Sequence, residues 1–187
     1  FNCITVDGDM STNDTVLALA NGASGIEHLS GADLDTFSAA LDQVCTGLAR
    51  QIARDGEGAT KLIKIHVRGA PDEAAARTVG LSVANSNLVK TAIFGRDPNW
   101  GRIICASGNV GIPFDYTKTD LYIGTREEMF LVLEQGKPAD FNRNALKKKL
   151  RESHIHVELQ LHQGEGEATA WGTDLTTDYV MFNSVYT

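Results

Sequence analysis

The sequence has few of the features that mark specialised classes of protein. Its 187 residues contain three cysteines, and Cys3, Cys45 and Cys105 are far apart and outside any C-x-x-C spacing. This odd, scattered set indicates neither a disulfide framework nor a zinc knuckle, and a reducing compartment fits it best. No apolar run approaches the length of a membrane span, and no cationic segment followed by an apolar one resembles a signal peptide. We therefore expect a cytoplasmic protein with no membrane partner.

Positive charge is also scarce. The chain has 17 Lys and Arg against 24 Asp and Glu, for a formal net charge of -7. It has no basic stripe of the kind that binding to a phosphate backbone requires, so nucleic acid is not an expected partner. Hydrophobic residues make up 42% of the chain and aromatic residues only 7%. That composition and length predict a globular protein with one substantial core.

Periodicity predicts helices early in the chain and strands later. The expected helices cover residues 15–20, 30–54, 73–94, 103–106 and 142–152. The expected strands cover residues 62–68, 120–123, 128–133, 155–161, 167–171 and 179–182. The helix-rich part spans about 1–115 and the strand-rich part about 116–187. This order favours an α+β or layered sandwich fold over a regular βαβ winding.

A dense polar patch follows the first apolar run. From Asp7 the sequence D-x-D-x-S-x-N resembles the start of a calcium loop, but that loop needs Gly at position six and Glu at position twelve. Thr12 and Ala18 stand at those positions. We therefore interpret residues 7–14 as a structural turn in which Asp14 is the N-cap of the helix at 15–20.

Other patterns with possible chemistry have plainer explanations. His154, His156 and Glu158 alternate with apolar residues on a predicted strand. This pattern is compatible with a metal site, but we favour the alternative, which is the polar face of a half-buried sheet. The glycine-rich segments match no phosphate-binding loop, and no G-x-S-x-G elbow is present. We expect no cofactor and no metal.

One carboxylate differs from the others in its surroundings. Glu57 stands between Gly56 and Gly58, on a turn before the strand at 62–68. The two glycines leave this carboxylate little shielded and let the backbone approach a ligand. A loop acid of this kind can hold a substrate ammonium group, although acidic turns without function are common.

Four long motifs resemble one family. In chain order they are F-N-C-I-T-V-D-G-D-M-S-T-N-D-T-V from Phe1, R-D-G-E-G-A-T-K from Arg54, R-D-P-N-W-G-R-I from Arg96 and Y-V-M-F-N-S-V-Y-T from Tyr179. Together they resemble the ornithine acetyltransferase, or glutamate N-acetyltransferase, family of arginine biosynthesis. The resemblance implies an α/β sandwich shared with self-cleaving aminopeptidases.

The resemblance also implies a reaction. Family members are precursors that cut themselves before a threonine, giving α and β chains that stay together, usually as α2β2. The new N-terminal threonine takes the acetyl group from N-acetylornithine and passes it to glutamate, and some members also use acetyl-CoA. Two substrate-binding positions carry over, Glu57 from D-G-E-G-A-T-K and Asn183 from the C-terminal motif. We do not transfer the family's terminal Thr or Ser to Thr187, because Tyr186 is followed by only one residue.

The sequence departs from the family in one respect. The segment that carries the threonine lies upstream of the first motif and is not in this sequence. We therefore expect residues 1–187 to be most of a β chain without its N-terminal portion, inactive without the nucleophile and the α chain. A self-cleaving aminopeptidase of the same fold and a non-catalytic fragment remain as alternatives.

Overall fold

A single mixed sheet organises the molecule. The computed structural model describes residues 1–185. Within these residues the sheet contains β1 (Leu62–Ala70), β2 (Asp120–Gly124), β3 (Met129–Glu134), β4 (Lys137–Pro138), β5 (His154–Gln160) and β6 (Gly166–Thr173). The strand order is β4-β3-β2-β5-β1-β6. β1 runs parallel to β5, and the other neighbouring strands are antiparallel.

Six helices accompany the sheet in the described residues. They are α1 (Gly31–Arg54), α2 (Glu73–Asn85), α3 (Asn87–Phe94), α4 (Trp100–Gly108), α5 (Arg143–Lys149) and α6 (Thr177–Ser184), with a short 3-10 helix at Tyr116–Lys118. Local side chains fix several helix starts. Asp72 accepts a hydrogen bond from the Ala75 amide at 2.7 Å, and Asn142 accepts one from the Ala145 amide at 3.0 Å. Each side chain thus satisfies one of the free amides at the start of a helix.

The hydrophobic core lies between one face of the sheet and the helices. Ile65 and Val67 of β1 are fully buried together with Val79 and Val83 of α2. The alternation of β1 makes this possible, because residues two apart point to the same face. The result is a helix layer packed on a mixed sheet, and the predicted α+β sandwich class is confirmed. The division near residue 115 stays a prediction; β1, from the helix-rich part, lies in the same sheet as β2 to β6.

The predicted helix at residues 15–20 is wrong. These residues are exposed and have no regular structure. Asp14 does not cap a helix; its carboxylate accepts a hydrogen bond from the Ser11 amide, which precedes it, at 3.2 Å. A helix of six residues is unstable without a surface to pack against, and the apolar side chains of Val16, Leu17 and Leu19 are 63%, 79% and 96% exposed.

The predicted strand at residues 179–182 is also wrong, because this segment belongs to α6. The residues Tyr-Val-Met-Phe favour a strand by propensity. The local cap decides otherwise, since the Thr176 hydroxyl accepts a hydrogen bond from the Tyr179 amide at 3.1 Å. Asp178 in the first turn adds a favourable interaction with the helix dipole.

None of the helices in residues 1–185 is both long enough and apolar enough to cross a lipid bilayer.

Candidate functional site

The turn that carries Glu57 lies between α1 and β1 and meets the start of α6. Gly58 in this turn has a φ of +63°, a conformation that favours glycine. A Cβ at Gly58 would stand 2.5 Å from the backbone nitrogen of Tyr179. The Thr176 hydroxyl donates a hydrogen bond to the Gly58 carbonyl at 2.7 Å. The turn therefore holds the first residues of α6 in close contact.

This contact brings the two predicted site residues together. The Asn183 side-chain amide donates a hydrogen bond to Glu57 Oε2 at 2.9 Å and a second one to the Tyr179 carbonyl at 3.0 Å. Both Glu57 and Asn183 are exposed to solvent. Residues that are 126 positions apart in the chain thus form one open, polar site.

The N-terminal loop adds a second carboxylate beside α6. The Tyr179 hydroxyl donates a hydrogen bond to Asp7 Oδ2 at 2.9 Å. This hydrogen bond, then burial and the negative charges of Asp7, Glu57 and Asp9, raise the pKa of Tyr179 to about 12. The phenol therefore stays protonated at neutral pH, and three carboxylates give its surroundings a negative potential.

A buried lysine, Lys90, holds the N-terminal loop through a hydrogen bond to its backbone. Lys90 of α3 is only 2% exposed, and its ammonium group donates a hydrogen bond to the Val6 carbonyl. Burial lowers the pKa of Lys90, while the negative charges of Asp7 and Asp174 oppose that shift. Because a buried charge needs partners, this lysine fixes the position of the backbone next to Asp7.

A buried aspartate anchors the other side of the turn. Asp174 follows β6, is 3% exposed, and accepts hydrogen bonds from the backbone amides of Thr60 at 2.9 Å and Lys61 at 2.8 Å. The Lys61 ammonium lies 4.0 Å from the same carboxylate. These charge-assisted contacts tie the chain after Glu57 to the end of the sheet.

The site suits a ligand with a positive charge. Asp7, Asp9 and Glu57 are exposed carboxylates, and the nearby Lys90 ammonium is buried against the Val6 carbonyl. An ammonium group could replace water at these carboxylates and form charge-assisted hydrogen bonds. Within the described part of the chain, no three His, Cys, Asp or Glu side chains are grouped so that they could hold a metal.

The sequence pointed to only half of this cluster. The sequence predicts a structural turn at Asp7 and a strand at Tyr179. These two residues contact each other across 172 residues, a distance over which no local pattern indicates proximity. Tyr186 and Thr187, next to which the family has its terminal site residue, lie outside the described residues.

The fold and the site together define an α+β sandwich with a solvent-open acidic site formed by a turn, an N-terminal loop and a late helix. The crystal structure of arginine biosynthesis bifunctional protein ArgJ from Bacillus halodurans has the same fold, with a TM-score of 0.93 and 44% sequence identity. The match covers 100% of this chain and 87% of that chain. A family model described as the ArgJ family matches residues 1–187. The chain belongs to the ArgJ family, which confirms the resemblance found in the sequence.

Curated relatives give the same result. The chloroplastic arginine biosynthesis bifunctional protein ArgJ of Physcomitrium patens is 50% identical over 195 residues, which cover 100% of this chain and 37% of the relative. Arginine biosynthesis bifunctional protein ArgJ 1 of Nostoc sp. is 46% identical over 198 residues, covering 100% of this chain and 47% of the relative. The chain therefore spans less than half the length of these relatives.

Proposed function

We propose that the complete protein transfers an acetyl group from N-acetylornithine to glutamate, in arginine biosynthesis, through an acetyl-threonine intermediate. The observation that carries the proposal is the contact between Glu57 and Asn183 on an open acidic surface, in a chain that matches the ArgJ family along its whole length. The relatives' names support it, since they are called bifunctional proteins of arginine biosynthesis. Acetylation of glutamate from acetyl-CoA is the second activity that we include.

Two bond exchanges make up the reaction. The hydroxyl oxygen of a threonine upstream of this sequence attacks the acetyl carbonyl carbon, the amide C–N bond breaks, and the ornithine nitrogen leaves with a proton. The amine of glutamate then attacks the resulting ester, the C–O bond breaks, and the threonine oxygen regains its proton. The free amine of the threonine is the proton acceptor and donor in both exchanges.

The residues of this chain bind the substrate in this scheme. Glu57 accepts hydrogen bonds from a substrate ammonium group, a charge-assisted contact in a site whose carboxylates attract cations. Asn183 is the second proposed substrate-binding residue, and its amide also donates to Glu57 Oε2, which sets the orientation of that carboxylate. The buried Asp174 holds the turn that carries Glu57, and the buried Lys90 holds the N-terminal loop.

We also propose that an α chain from the same precursor packs on α1 in an α2β2 assembly. One side of α1 presents a stripe of apolar side chains that are 44% to 58% exposed: Leu34, Phe37, Leu41, Val44, Leu48 and Ile52. Ala49 and Ala53, the buried residues of α1, lie on a different side of the helix at 100° per residue. A contiguous exposed apolar surface of this kind is typical of a protein interface. The cytoplasm stays our proposed location.

Acetyl transfer between free amino acids tests this function. The full-length protein is incubated with N-acetylornithine and glutamate without acetyl-CoA, and ornithine and N-acetylglutamate are measured. We expect both products in equal amounts. Release of amino acids from peptides without acetyl transfer would identify the aminopeptidase alternative. If neither reaction occurs, the non-catalytic alternative remains.

A further inference from the structure

A cavity lies on the sheet face opposite the core, and none of the residues of the Glu57 site lines it. Its volume is about 480 Å³. Six basic side chains line it: Arg50, Lys64, His66, Arg126, His154 and His156. They come from α1, from β1, from the turn between β2 and β3, and from the start of β5. Four separate parts of the fold therefore direct nitrogen-bearing side chains to one concave surface.

Strand register explains why these groups are neighbours. Lys64 of β1 is paired with His156 of β5 and with Trp171 of β6, and His66 is paired with Glu158. Neighbouring strands are about 4.8 Å apart, so the side chains of each pair stand next to each other on the open face. Trp171 also lines the cavity and gives it one aromatic wall.

In the described residues, the fixed positive charges of this surface have no carboxylate close to them, whereas the His66 ring lies 3.8 Å from the Glu167 carboxylate. Glu158 is the one carboxylate in the cavity lining, and it forms an ion pair with Arg68 at 3.6 Å. Within residues 1–185, no carboxylate lies within 4.0 Å of the charged nitrogens of Arg50, Lys64 or Arg126. The chain as a whole carries a net charge of -7, so this local excess of positive charge is opposite to the overall balance.

A buried hydroxyl at the cavity wall also lacks a partner. Thr125 lines the cavity and is 1% exposed, and its Oγ1 forms no hydrogen bond with any described residue. Glu127 is near, and its own backbone amide, followed by the Thr125 hydroxyl, lowers the pKa of that carboxyl. The geometry of the Thr125 and Glu127 side chains nevertheless does not allow a hydrogen bond between them. Thr125 Oγ1 therefore has no hydrogen-bond partner in the described residues. A buried hydroxyl without a partner is costly unless a ligand or water completes it.

We propose that this cavity binds a small molecule that carries phosphate groups. Arginine guanidinium and lysine ammonium groups are the usual protein donors to phosphate, and imidazoles and a hydroxyl add further hydrogen bonds. Three fixed positive charges attract a ligand with two or more negative charges more strongly than they attract a ligand with a single carboxylate. The inference does not depend on the acetyl-transfer function, because no residue of the Glu57 site lines the cavity.

The two partly buried histidines make binding depend on pH. The pKa of His156 is lowered by burial and then by the positive charge of Lys64, with Glu127 opposing and His154 and Arg126 adding to the shift. A histidine with a lowered pKa is neutral at pH 7 and gains its proton only at lower pH. A bound anion reverses the effect of the nearby cations and raises the histidine pKa.

His66 follows the same logic with more carboxylates around it. Burial and then Lys64 lower its pKa, Arg68 acts in the same direction, and Glu158 and Glu167 oppose them. Binding of an anion therefore becomes stronger as pH falls from 8 to 6, since each histidine that gains a proton adds a positive charge to the cavity.

Titration calorimetry of the full-length protein with inorganic pyrophosphate tests the proposal. We expect saturable binding at one site per chain, and the substitutions Lys64→Met and Arg126→Gln each weaken it about tenfold or more, as loss of a hydrogen bond to a charged group does. Lys137→Met is the matched control, because this substitution removes the same charge as Lys64→Met. Lys137 is exposed on the edge strand β4 and does not line the cavity. The control variant keeps the affinity of the parent protein.

Sulfate supplies the second arm, because it does not change its own charge between pH 6 and pH 8. We expect its affinity to increase as pH falls over this range, and His66→Gln combined with His156→Gln to remove most of that increase. No binding of pyrophosphate to the parent protein overturns the proposal. Equal weakening by Lys64→Met and Lys137→Met also overturns it, since it shows attraction without a site.

Discussion

Glu57 is held by one neighbour while its carboxylate stays open to solvent. Its Oε2 accepts from the Asn183 amide at 2.9 Å, and the side chain is otherwise exposed on a turn between two glycines. This combination fixes the carboxylate without neutralising its charge. A side chain that is oriented and still charged is what recognition of an ammonium group requires.

Replacement of Glu57 by Gln removes the charge and keeps the shape. The Gln side chain can still accept from Asn183, so we expect an intact fold and a Michaelis constant for N-acetylornithine that rises about tenfold or more. Steady-state kinetics with varied N-acetylornithine measure the change. Glu165→Gln makes the same chemical change at an exposed position before β6 and serves as the control. Unchanged kinetics in E57Q would remove Glu57 from the site.

The individual residues of the site were only partly predictable. The resemblance to the family assigned Glu57 and Asn183, and their role in substrate binding stays a prediction. Asp7 and Tyr179 were missed because a hydrogen bond between an N-terminal loop and a C-terminal helix leaves no trace in local spacing. The buried Lys90 was missed for the same reason, since its partner Val6 is 84 positions away.

At the scale of elements, the contact between the Glu57 turn and α6 builds the site. α6 begins at Thr177, directly after Thr176. The Thr176 hydroxyl donates a hydrogen bond to the Gly58 carbonyl and accepts one from the Tyr179 amide, which caps the helix. The close approach depends on the absence of a side chain at Gly58. The position of Asn183 over Glu57 follows, because Asn183 lies one helical turn after Tyr179.

A methyl group at Gly58 should separate these two elements. Gly58→Ala places a Cβ 2.5 Å from the Tyr179 nitrogen, in a backbone conformation with a φ of +63°. We expect a loss of about 2 kcal/mol in the unfolding free energy and faster amide exchange in α6. Urea unfolding and hydrogen exchange measure these effects.

Gly47→Ala is the matched control for that experiment. Gly47 lies within α1, and apart from its own helix backbone and chain neighbours no atom of the described residues stands within 4 Å of the Cβ that alanine would add. Alanine is the better helix former, so this variant should unfold at the same urea concentration as the parent protein or a higher one. Equal behaviour of the two variants would contradict the close contact between Gly58 and α6.

Regular elements were predictable where the pattern was long. The helix at residues 30–54 and the strand at 62–68 match α1 and β1, because each repeats its period over many residues. The segments at 15–20 and 179–182 failed because they are short. The first segment is exposed in the described chain, and in the second a helix cap outweighs strand propensity. The order of the strands also could not be read from the sequence, since it depends on contacts between distant segments.

At the scale of the whole molecule, the exposed apolar stripe on α1 is the surface on which we propose that the α chain packs. Substitution of Phe37 and Leu41 by Glu places charges in this stripe, and we expect loss of the α chain from the purified complex by native mass spectrometry. Both side chains are about half exposed in this chain, so the fold of the chain itself should survive. Gln43→Glu adds a charge to an exposed position off the stripe and is the control. A complex that survives the double substitution would place the α chain elsewhere.

Formation of the acetyl-enzyme tests the central claim most directly. The full-length protein is incubated with N-acetylornithine, without glutamate and without acetyl-CoA, and the intact masses of its chains are measured. We predict that the chain bearing the N-terminal threonine gains the mass of one acetyl group and loses it again when glutamate is added. If no chain gains this mass, or if the acetyl group stays after glutamate is added, acetyl transfer through threonine is contradicted.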